Sequence, residues 1–291
     1  MANSLRAVKN RINSTKSTAQ ITKAMYMVSQ SKVKRAEKTY KSYQDFMKRI
    51  EALVSSILYK AKDEYPHKLL VEREIKKTAY FIVTSDTGLA GAYNSSIFKA
   101  FEEKLAENNQ TKKDVITGAI GKKGYYYLKS NGYKIMNDSR INVRDDVMFL
   151  DIEPLARKFI NAYLNGEIDK LVIVYNHYVN SLTQEVKFEE LLPIKNIEAE
   201  ESKVDFIYET GIEKTLDLIL PMYVKDMVFG IVLDAKTSEH SARMNAMKSA
   251  TDNALEIIDK LQLLYNRARQ SVVTNELIDI IGGANAIGGD Q

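Results

Sequence analysis

Groups able to do chemistry are sparse in this chain. It contains no cysteine, which excludes disulfides, thiolate nucleophiles and cysteine-ligated metal sites. The only histidines, His67, His177 and His240, are widely separated, so a histidine-rich metal site is not expected. His240 lies beside Glu239 and near Arg243, but no nucleophile accompanies it, so we expect a polar interface contact there. No Ser–His–Asp or paired-carboxylate arrangement stands out, and we therefore predict no catalytic residue.

Two glycine-containing stretches invite comparison with phosphate-binding loops. Gly88–Gly91 lies at a predicted strand-to-helix turn, where a helix N-terminus could bind phosphate. It matches neither the dinucleotide nor the P-loop pattern, so a tight turn is the preferred interpretation. Gly121–Gly124 has no Ser or Thr after its lysine, and we predict that it starts a short helix. We predict no cofactor and no metal, because the adjacent Asp145 and Asp146 diverge and are expected in a solvated loop.

The charge is concentrated at one end of the chain. The first 60 residues carry 13 Lys or Arg and 3 Asp or Glu, and the first 36 contain no acid. Such a bias implies an acidic partner, which can be a nucleic acid, a membrane surface or an acidic protein face. The N-terminus has no apolar signal core, and apolar runs such as Met227–Leu233 are far too short to cross a bilayer. We expect a soluble intracellular protein that can dock against a membrane complex.

The elements around these residues begin with a long N-terminal helix. No Gly or Pro occurs before Pro66, and a helix over Leu5–Leu58 would be roughly 80 Å long. Apolar and small residues recur every three or four positions, as in a coiled-coil seam. The predicted seam is Val8, Ile12, Thr15, Ala19, Thr22, Tyr26, Ser29, Val33, Ala36, Tyr40, Tyr43, Met47, Ile50, Val54 and Ile57. Its small residues bury little apolar area, so this segment suits enclosure by other chains.

The C-terminal segment mirrors the first helix. No Gly or Pro interrupts Ile231–Ile281, and Gly282 with Gly283 predicts a stop. The predicted seam is Met247, Ala250, Ala254, Ile257, Leu261, Leu264, Ala268 and Ser271. Helices of matching length at the two ends can pair antiparallel if the middle folds back between them.

The middle of the chain has the pattern of an α/β domain. Buried-type strands alternate with amphipathic helices, which implies a mainly parallel sheet with helices on its faces. The predicted strands are Thr78–Ser85, Asp114–Ile120, Asp169–Tyr178 and, as an antiparallel edge, Gln184–Leu192. The predicted helices are Ala92–Ala106, Lys122–Ser130 and Glu153–Leu164.

Three stretches carry a family resemblance. Leu5–Glu37 (LRAVKNRINSTKSTAQITKAMYMVSQSKVKRAE) and Ser238–Ile287 closely resemble the gamma subunit of F-type rotary ATP synthases. Ser85–Ser96 (SDTGLAGAYNSS) resembles the Ser-Asp-x-Gly-Leu-x-Gly turn of that family, although Thr87 stands where Arg is frequent and Ala90 where Cys is frequent. The likeness runs over essentially the whole chain.

The resemblance implies a fold, a role and a set of partners. It implies an antiparallel coiled coil (1–65 and 211–283), a Rossmann-like α/β domain (76–207) and a flexible tail (284–291). The coiled coil would turn inside a ring of three alpha and three beta subunits, and the α/β domain would lie beside epsilon on the c-subunit ring. Ion flow would drive rotation and ATP would be made or hydrolysed elsewhere, with no catalytic residue here. The expected location is peripheral, on the cytoplasmic face of a bacterial cell membrane, with membrane association only through the complex and no nucleic acid.

The resemblance also assigns contacts to positions in this sequence. Ile21–Met25 matches the motif that faces the beta-subunit levers, where a basic helix suits an acidic surface. Foot positions near the c ring match Tyr208 and Glu209, although Thr210 stands where Pro is more usual. The positions that match alpha/beta contacts are Lys23, Met25, Arg243, Arg269, Gln270 and Thr274.

Two other functions compete when the resemblance is set aside. A nucleic-acid-binding coiled coil would explain the basic N-terminal segment, but its bases are not interleaved with stacking aromatics: Tyr26 is the only aromatic residue before Tyr40. An enzyme would need a nucleotide in the middle domain. DNA binding with a steep salt dependence would favour the first alternative, and nucleotide binding by calorimetry the second.

Overall fold

The structure is a computed structural model that describes residues 2–61, 66–137, 141, 144–195, 197 and 211–288. Its elements in chain order are α1 (Ala2–Ala61), β1 (Thr78–Val83), α2 (Tyr93–Glu107), β2 (Val115–Ile120), α3 (Lys122–Ser130), α4 (Phe149–Leu164), β3 (Lys170–Tyr178), β4 (Gln184–Leu192) and α5 (Ile212–Gly288). They form two compact units. The helix-pair unit is Met1–Val28 with Met244–Gln291, and the α/β unit is Ser29–Arg243.

The helix-pair unit is an antiparallel pair made from the ends of α1 and α5. Ala19 is buried in a small cluster with Ala254 and Ile258. The Thr251 hydroxyl lies 2.7 Å from the Thr22 hydroxyl. Since increasing numbers on α1 meet decreasing numbers on α5, the predicted antiparallel pairing is confirmed.

The predicted seam of α1 is confirmed along its whole length. Every one of its positions, from Val8 to Ile57, is buried or half-buried. The 3–4 spacing identified this face because it keeps the same side of a helix towards its partner over many turns.

The predicted seam of α5 is partly wrong. Ile257 and Leu264 are 44% and 54% exposed, and Ser271 is exposed as well. Ile258 is only 6% exposed, and Tyr265 is half-buried. From Met247 onwards the seam therefore alternates intervals of four and three residues. Its first interval is four residues, where we had predicted three. Apolar residues stand side by side at 257–258 and 264–265, so the sequence pattern alone fits both registers.

The α/β unit contains a four-stranded sheet in the order β2-β1-β3-β4. β1 pairs in parallel with β2 and with β3, whereas β4 pairs antiparallel to β3 at the edge, as predicted. The inner strands are buried on both faces, as expected for a parallel sheet covered by helices. Phe81 and Ile173 lie in the core shared with α1, α4 and α5. Tyr80 and Val172 lie in the core shared with α2 and α3.

Two helix boundaries differ from the sequence predictions. α4 begins at Phe149, four residues before the predicted Glu153, and includes Pro154. The earlier start is capped by Asp151, whose carboxylate accepts the Met148 N–H at 3.0 Å. α5 runs from Ile212 through Pro221 and on to Gly288, so the stop predicted at Gly282 and Gly283 is wrong. A glycine inside a helix costs only about 1 kcal/mol relative to alanine, which a long helix tolerates.

Within the described residues, no helix combines the length and apolar character needed to span a bilayer.

Candidate functional site

The Gly88–Gly91 turn uses its polar groups internally. The Ser85 amide donates to Asn94 Oδ1 at 3.0 Å, and Asn94 Nδ2 donates back to Ser85 Oγ at 2.7 Å. The Ser85 hydroxyl in turn donates to the Thr87 carbonyl at 2.7 Å. Leu89 has a φ of 63°, a left-handed conformation that is uncommon for leucine. These contacts favour a tight structural turn over a phosphate-binding loop.

The second glycine stretch starts a short helix, as predicted. Gly121 has a φ of 90°, and a Cβ there would lie 2.1 Å from the Thr84 carbonyl oxygen, so only glycine fits. The first amides of α3 already have acceptors. Lys122 N–H donates to Asp86 Oδ1 at 2.8 Å, and Gly124 N–H donates to Thr84 Oγ1 at 2.8 Å. The end of β1 thus provides what a phosphate would otherwise provide.

Asp145 lies exposed in a loop, as predicted, and it also belongs to a charge cluster that the sequence did not indicate. Its carboxylate lies 2.6 Å from Lys32 Nζ of α1, 3.3 Å from His240 Nε2 and 4.0 Å from Lys236 Nζ of α5. Burial opposes the shift, but the Lys32 hydrogen bond and the nearby His240 and Lys236 together lower the pKa of Asp145. Sequence reasoning missed the cluster because its members lie on three distant segments.

His240 makes its polar contact inside the α/β unit. Its side chain is 2% exposed, and burial lowers its pKa to about 4, so the ring is neutral at physiological pH. Its Nε2–H then donates to Asp145, and its Nδ1 has no hydrogen-bond partner. Beside it, Glu239 lies 3.0 Å from Lys236 and 2.7 Å from Arg243. The group ties α1, the loop at Asp145 and α5 together through charges.

The predicted alpha/beta contact residues fall into two classes. Lys23, Arg269, Gln270 and Thr274 are exposed, and Met25 is half-buried. Arg243 instead is held inside the α/β unit, since its guanidinium lies 2.7 Å from Glu239, 2.9 Å from Thr87 Oγ1 and 3.4 Å from the Gly88 carbonyl. The predicted foot residues Tyr208 and Glu209 lie outside the described residues.

An exposed apolar surface on α5 adds to these positions and was missed at the sequence level. Its members are 44% to 67% exposed. At about 100° per residue these side chains lie on several sides of the helix, and so many exposed apolar residues on one helix indicate a surface that other chains cover. The sequence did carry a signal for this surface, because α5 contains more apolar residues than a single coiled-coil seam needs. The residues of this apolar surface are Leu255, Ile257, Leu263, Leu264, Val273, Leu277, Ile278, Ile280 and Ile281.

Among the described residues, no group of three or more His, Asp or Glu side chains is placed to hold a metal ion.

These features define the class of protein. The chain combines a pair of antiparallel terminal helices, with exposed basic and apolar side chains, and an α/β unit whose two glycine turns are filled by its own groups. This is the architecture of a stalk subunit that works through contacts with other chains.

The comparisons with known proteins identify the family. The ATP synthase family matches residues 4–287. This chain therefore belongs to the gamma-subunit family of ATP synthase, the non-catalytic rotor shaft of a complex that couples ATP synthesis or hydrolysis to ion transport. As such a stalk subunit it associates with the membrane-bound complex.

Solved structures of similar fold come from mitochondrial ATP synthases. A chain from the Tetrahymena thermophila central stalk and c-ring structure is 26% identical, with a TM-score of 0.58 over 79% of this chain and 99% of that chain. A Euglena gracilis chain, from a structure of OSCP, F1 and c-ring, is 17% identical with a TM-score of 0.67 over 100% and 97%. A second, from the Euglena rotor, is 17% identical with a TM-score of 0.63 over 94% and 100%. The two Euglena matches show the fold alone.

Proposed function

We propose that the helix-pair unit turns inside a ring of three alpha and three beta subunits, while the α/β unit rests on the c-subunit ring beside epsilon. The observation that carries this proposal is the surface of the helix pair. Exposed bases on α1 and exposed apolar side chains on α5 occur on one slender unit. A helix pair with so much uncovered apolar surface needs a surrounding partner.

The proposed contacts follow from exposure and charge. Lys23 on α1 and Arg269, Gln270 and Thr274 on α5 are exposed, and the described contacts include no hydrogen bond or ion pair from any of them. A lysine or arginine in this state can pair with acidic side chains of a ring subunit without losing an internal partner. Met25, half-buried beside Lys23, would supply apolar contact. Arg243 would contact a ring subunit together with the Thr87–Gly88 turn that it holds.

Two parts of the proposal concern residues and surroundings beyond the described structure. Tyr208 and Glu209 are proposed to contact the c ring. The complex is proposed to lie at the cytoplasmic face of a bacterial cell membrane, with this chain attached only through the complex. Both carry over from the sequence resemblance. Protease accessibility of this chain in inverted and right-side-out membrane vesicles tests the location, because only inverted vesicles would expose a cytoplasmic subunit.

The contact at Lys23 is tested by Lys23→Gln in the assembled complex. Exposed Lys34→Gln on the same helix is the matched control. We expect Lys23→Gln to change the ATP turnover rate or the ion transport per ATP at least two-fold, and to leave nucleotide affinity at the beta subunits unchanged. Lys34→Gln should leave all three quantities unchanged. A loss of nucleotide affinity, or equal effects of both variants, would contradict the proposed contact.

A further inference from the structure

The α/β unit has the topology of a ligand-binding fold, but a helix occupies the binding position. In open parallel sheets, ligands bind outside the carboxyl ends of the strands at the point where the strand order reverses. Here that point lies between β1 and β3, since the chain leaves β1 for β2 on one side and returns as β3 on the other. Residues at the end of β3 and beyond the end of β1 contact α5. Tyr93 donates its hydroxyl to the Ala235 carbonyl at 2.9 Å, and Tyr178 donates its backbone N–H to Asp234 Oδ1 at 2.9 Å.

The α5 segment in this crevice is buried on every side. All seven residues from Ala235 to Ser241 are at most 6% exposed, although five of them are charged or carry a hydroxyl and a sixth is His240. A surface helix buries one face only. Complete burial of a polar stretch means that partners surround the helix.

The partners are distributed around the helix axis. With about 100° per residue, Asp234 and Ser241 lie on one side, Ala235 about a quarter turn away, and Arg243 about opposite Asp234. Asp234 Oδ2 is 2.6 Å from His177 Nδ1 and 3.2 Å from the Tyr40 hydroxyl. The Ser241 hydroxyl donates to the Ser181 carbonyl at 2.7 Å, in the turn between β3 and β4.

The remaining sides are closed by contacts already described. Arg243 holds the Thr87–Gly88 turn after β1, and Lys236 with His240 faces Asp145. We call the surrounding groups the collar; its residues are Lys32, Tyr40, Thr87, Gly88, Tyr93, Asp145, His177, Tyr178 and Ser181.

We propose that the collar locks α5 against rotation about its own axis, so that the helix and the sheet turn as one body when the shaft transmits torque. Apolar packing resists such a turn only through the fit of its side chains, because the hydrophobic effect itself has no direction. Hydrogen bonds and ion pairs on several sides resist turning, since each would leave a buried polar group unpaired. Asp234 and Tyr93 are therefore positioning residues for α5. The proposal rests on the rotor role of the family.

The test compares two matched double variants in the assembled complex. Asp234→Leu with Tyr93→Phe removes collar contacts from two sides of α5. Asp169→Leu with Tyr80→Phe is the control. The Asp169 carboxylate is 15% exposed and accepts the backbone N–H groups of Lys76 and Lys77, away from α5. Tyr80 is a buried tyrosine that bonds Gln110, also away from α5. The readout is ion transport per ATP hydrolysed. A merely structural role would lower assembly in both variants without changing this ratio.

We expect the ratio to fall at least two-fold in the collar variant and to stay unchanged in the control. Because the chain has no cysteine, Ser181→Cys and Ser241→Cys can be added and joined by a short thiol cross-linker, which should restore the ratio in the collar variant. An unchanged ratio in the collar variant, or an equal fall in both variants, would overturn the proposal.

If the collar variant does not assemble, the same cross-link still tests whether α5 turns within the collar. In the otherwise unaltered chain, full turnover and transport after cross-linking support a helix that never turns within the collar. Loss of half or more of the turnover would show that α5 must turn there, and the proposal fails. Failure of the ring contacts instead appears only with Lys23→Gln, so the two proposals fail separately.

Discussion

Single residues decide how the two long helices meet inside the α/β unit. Asp226 and Asp234 of α5 are 7% and 1% exposed, and each accepts a hydrogen bond from a tyrosine of α1. Burial raises the pKa of both carboxyls, although the hydrogen bonds oppose the shift. Such groups cost stability when they are charged, and they also exclude alternative registers, because a slipped helix would leave them buried without partners.

Asp226→Asn should stabilise the chain increasingly as the pH rises. The pKa of Asp226 is raised in the folded state, so between its unfolded and folded pKa values the folded state holds more protons. Wild-type stability from this group therefore falls as the pH rises through that window. Asparagine removes this loss of stability and can still accept the hydrogen bond from the Tyr43 hydroxyl.

We expect the free energy of unfolding of the variant, relative to wild type, to increase from about pH 4 upwards. Urea denaturation at several pH values measures it, with exposed Asp259→Asn as control. A difference that shrinks with rising pH would contradict the argument.

At the scale of elements, the sequence predicted most of the fold from period and composition. The spacing of apolar residues within each segment was enough to predict the strands, the antiparallel edge and the α1 seam. The register of α5 does not, because adjacent apolar residues at 257 and 258 satisfy both spacings and only the partner helix selects one. The collar could not be predicted from the sequence either. His177, Asp234 and Tyr40 are joined by the topology, and a buried polar run such as 236–241 looks in sequence like a solvated helix face.

The register of the helix pair can be tested with adjacent isoleucines. Ile258 is 6% exposed and contacts the Ala19 and Ala254 cluster, whereas Ile257 is 44% exposed. We expect Ile258→Ala to destabilise the full-length chain by about 2–4 kcal/mol and Ile257→Ala by less than about 1 kcal/mol. Unfolding followed by far-ultraviolet circular dichroism provides both values. Equal losses would mean that the seam runs between the two positions.

Two glycines in α5 provide a second test at this scale. Gly282 has open space around it, whereas a Cβ at Gly230 would lie 3.1 Å from the Tyr43 ring. Alanine at 282 should stabilise the helix by up to about 1 kcal/mol, because glycine loses more backbone entropy. Alanine at 230 should raise the free energy of unfolding by less than alanine at 282, or lower it, since the Tyr43 ring must shift. Calorimetric melting of both variants gives the comparison. A loss of stability in Gly282→Ala would show that the helix does not continue through this glycine.

At the scale of the whole molecule, the two units divide the work. The α/β unit has two apolar cores, and some of its charged groups are paired, as Glu239 is with Lys236 and Arg243, so it can account for its own stability. The helix-pair unit has one small cluster of Ala19, Ala254 and Ile258 and leaves its larger apolar residues in solvent. A shaft benefits from this division, because small seam residues keep it thin and the outer apolar side chains remain available to surrounding subunits.

The uncovered apolar surface of α5 should therefore determine both self-association and assembly. Leu277 and Ile281 are 54% and 59% exposed, so in the absence of partners copies of the chain should associate through them. We expect Leu277→Ser with Ile281→Ser to reduce the self-association of the purified chain and its incorporation into the complex, with its melting temperature nearly unchanged. Leu182→Ser with Leu218→Ser is the matched control, because both leucines are even more exposed, at 79% and 77%, but belong to the α/β unit. Analytical ultracentrifugation and reconstitution yield measure the two effects. If the α5 variant assembled as well as the control, the apolar surface would not face the ring, since replacing apolar side chains at an enclosed surface with hydroxyls must cost binding energy.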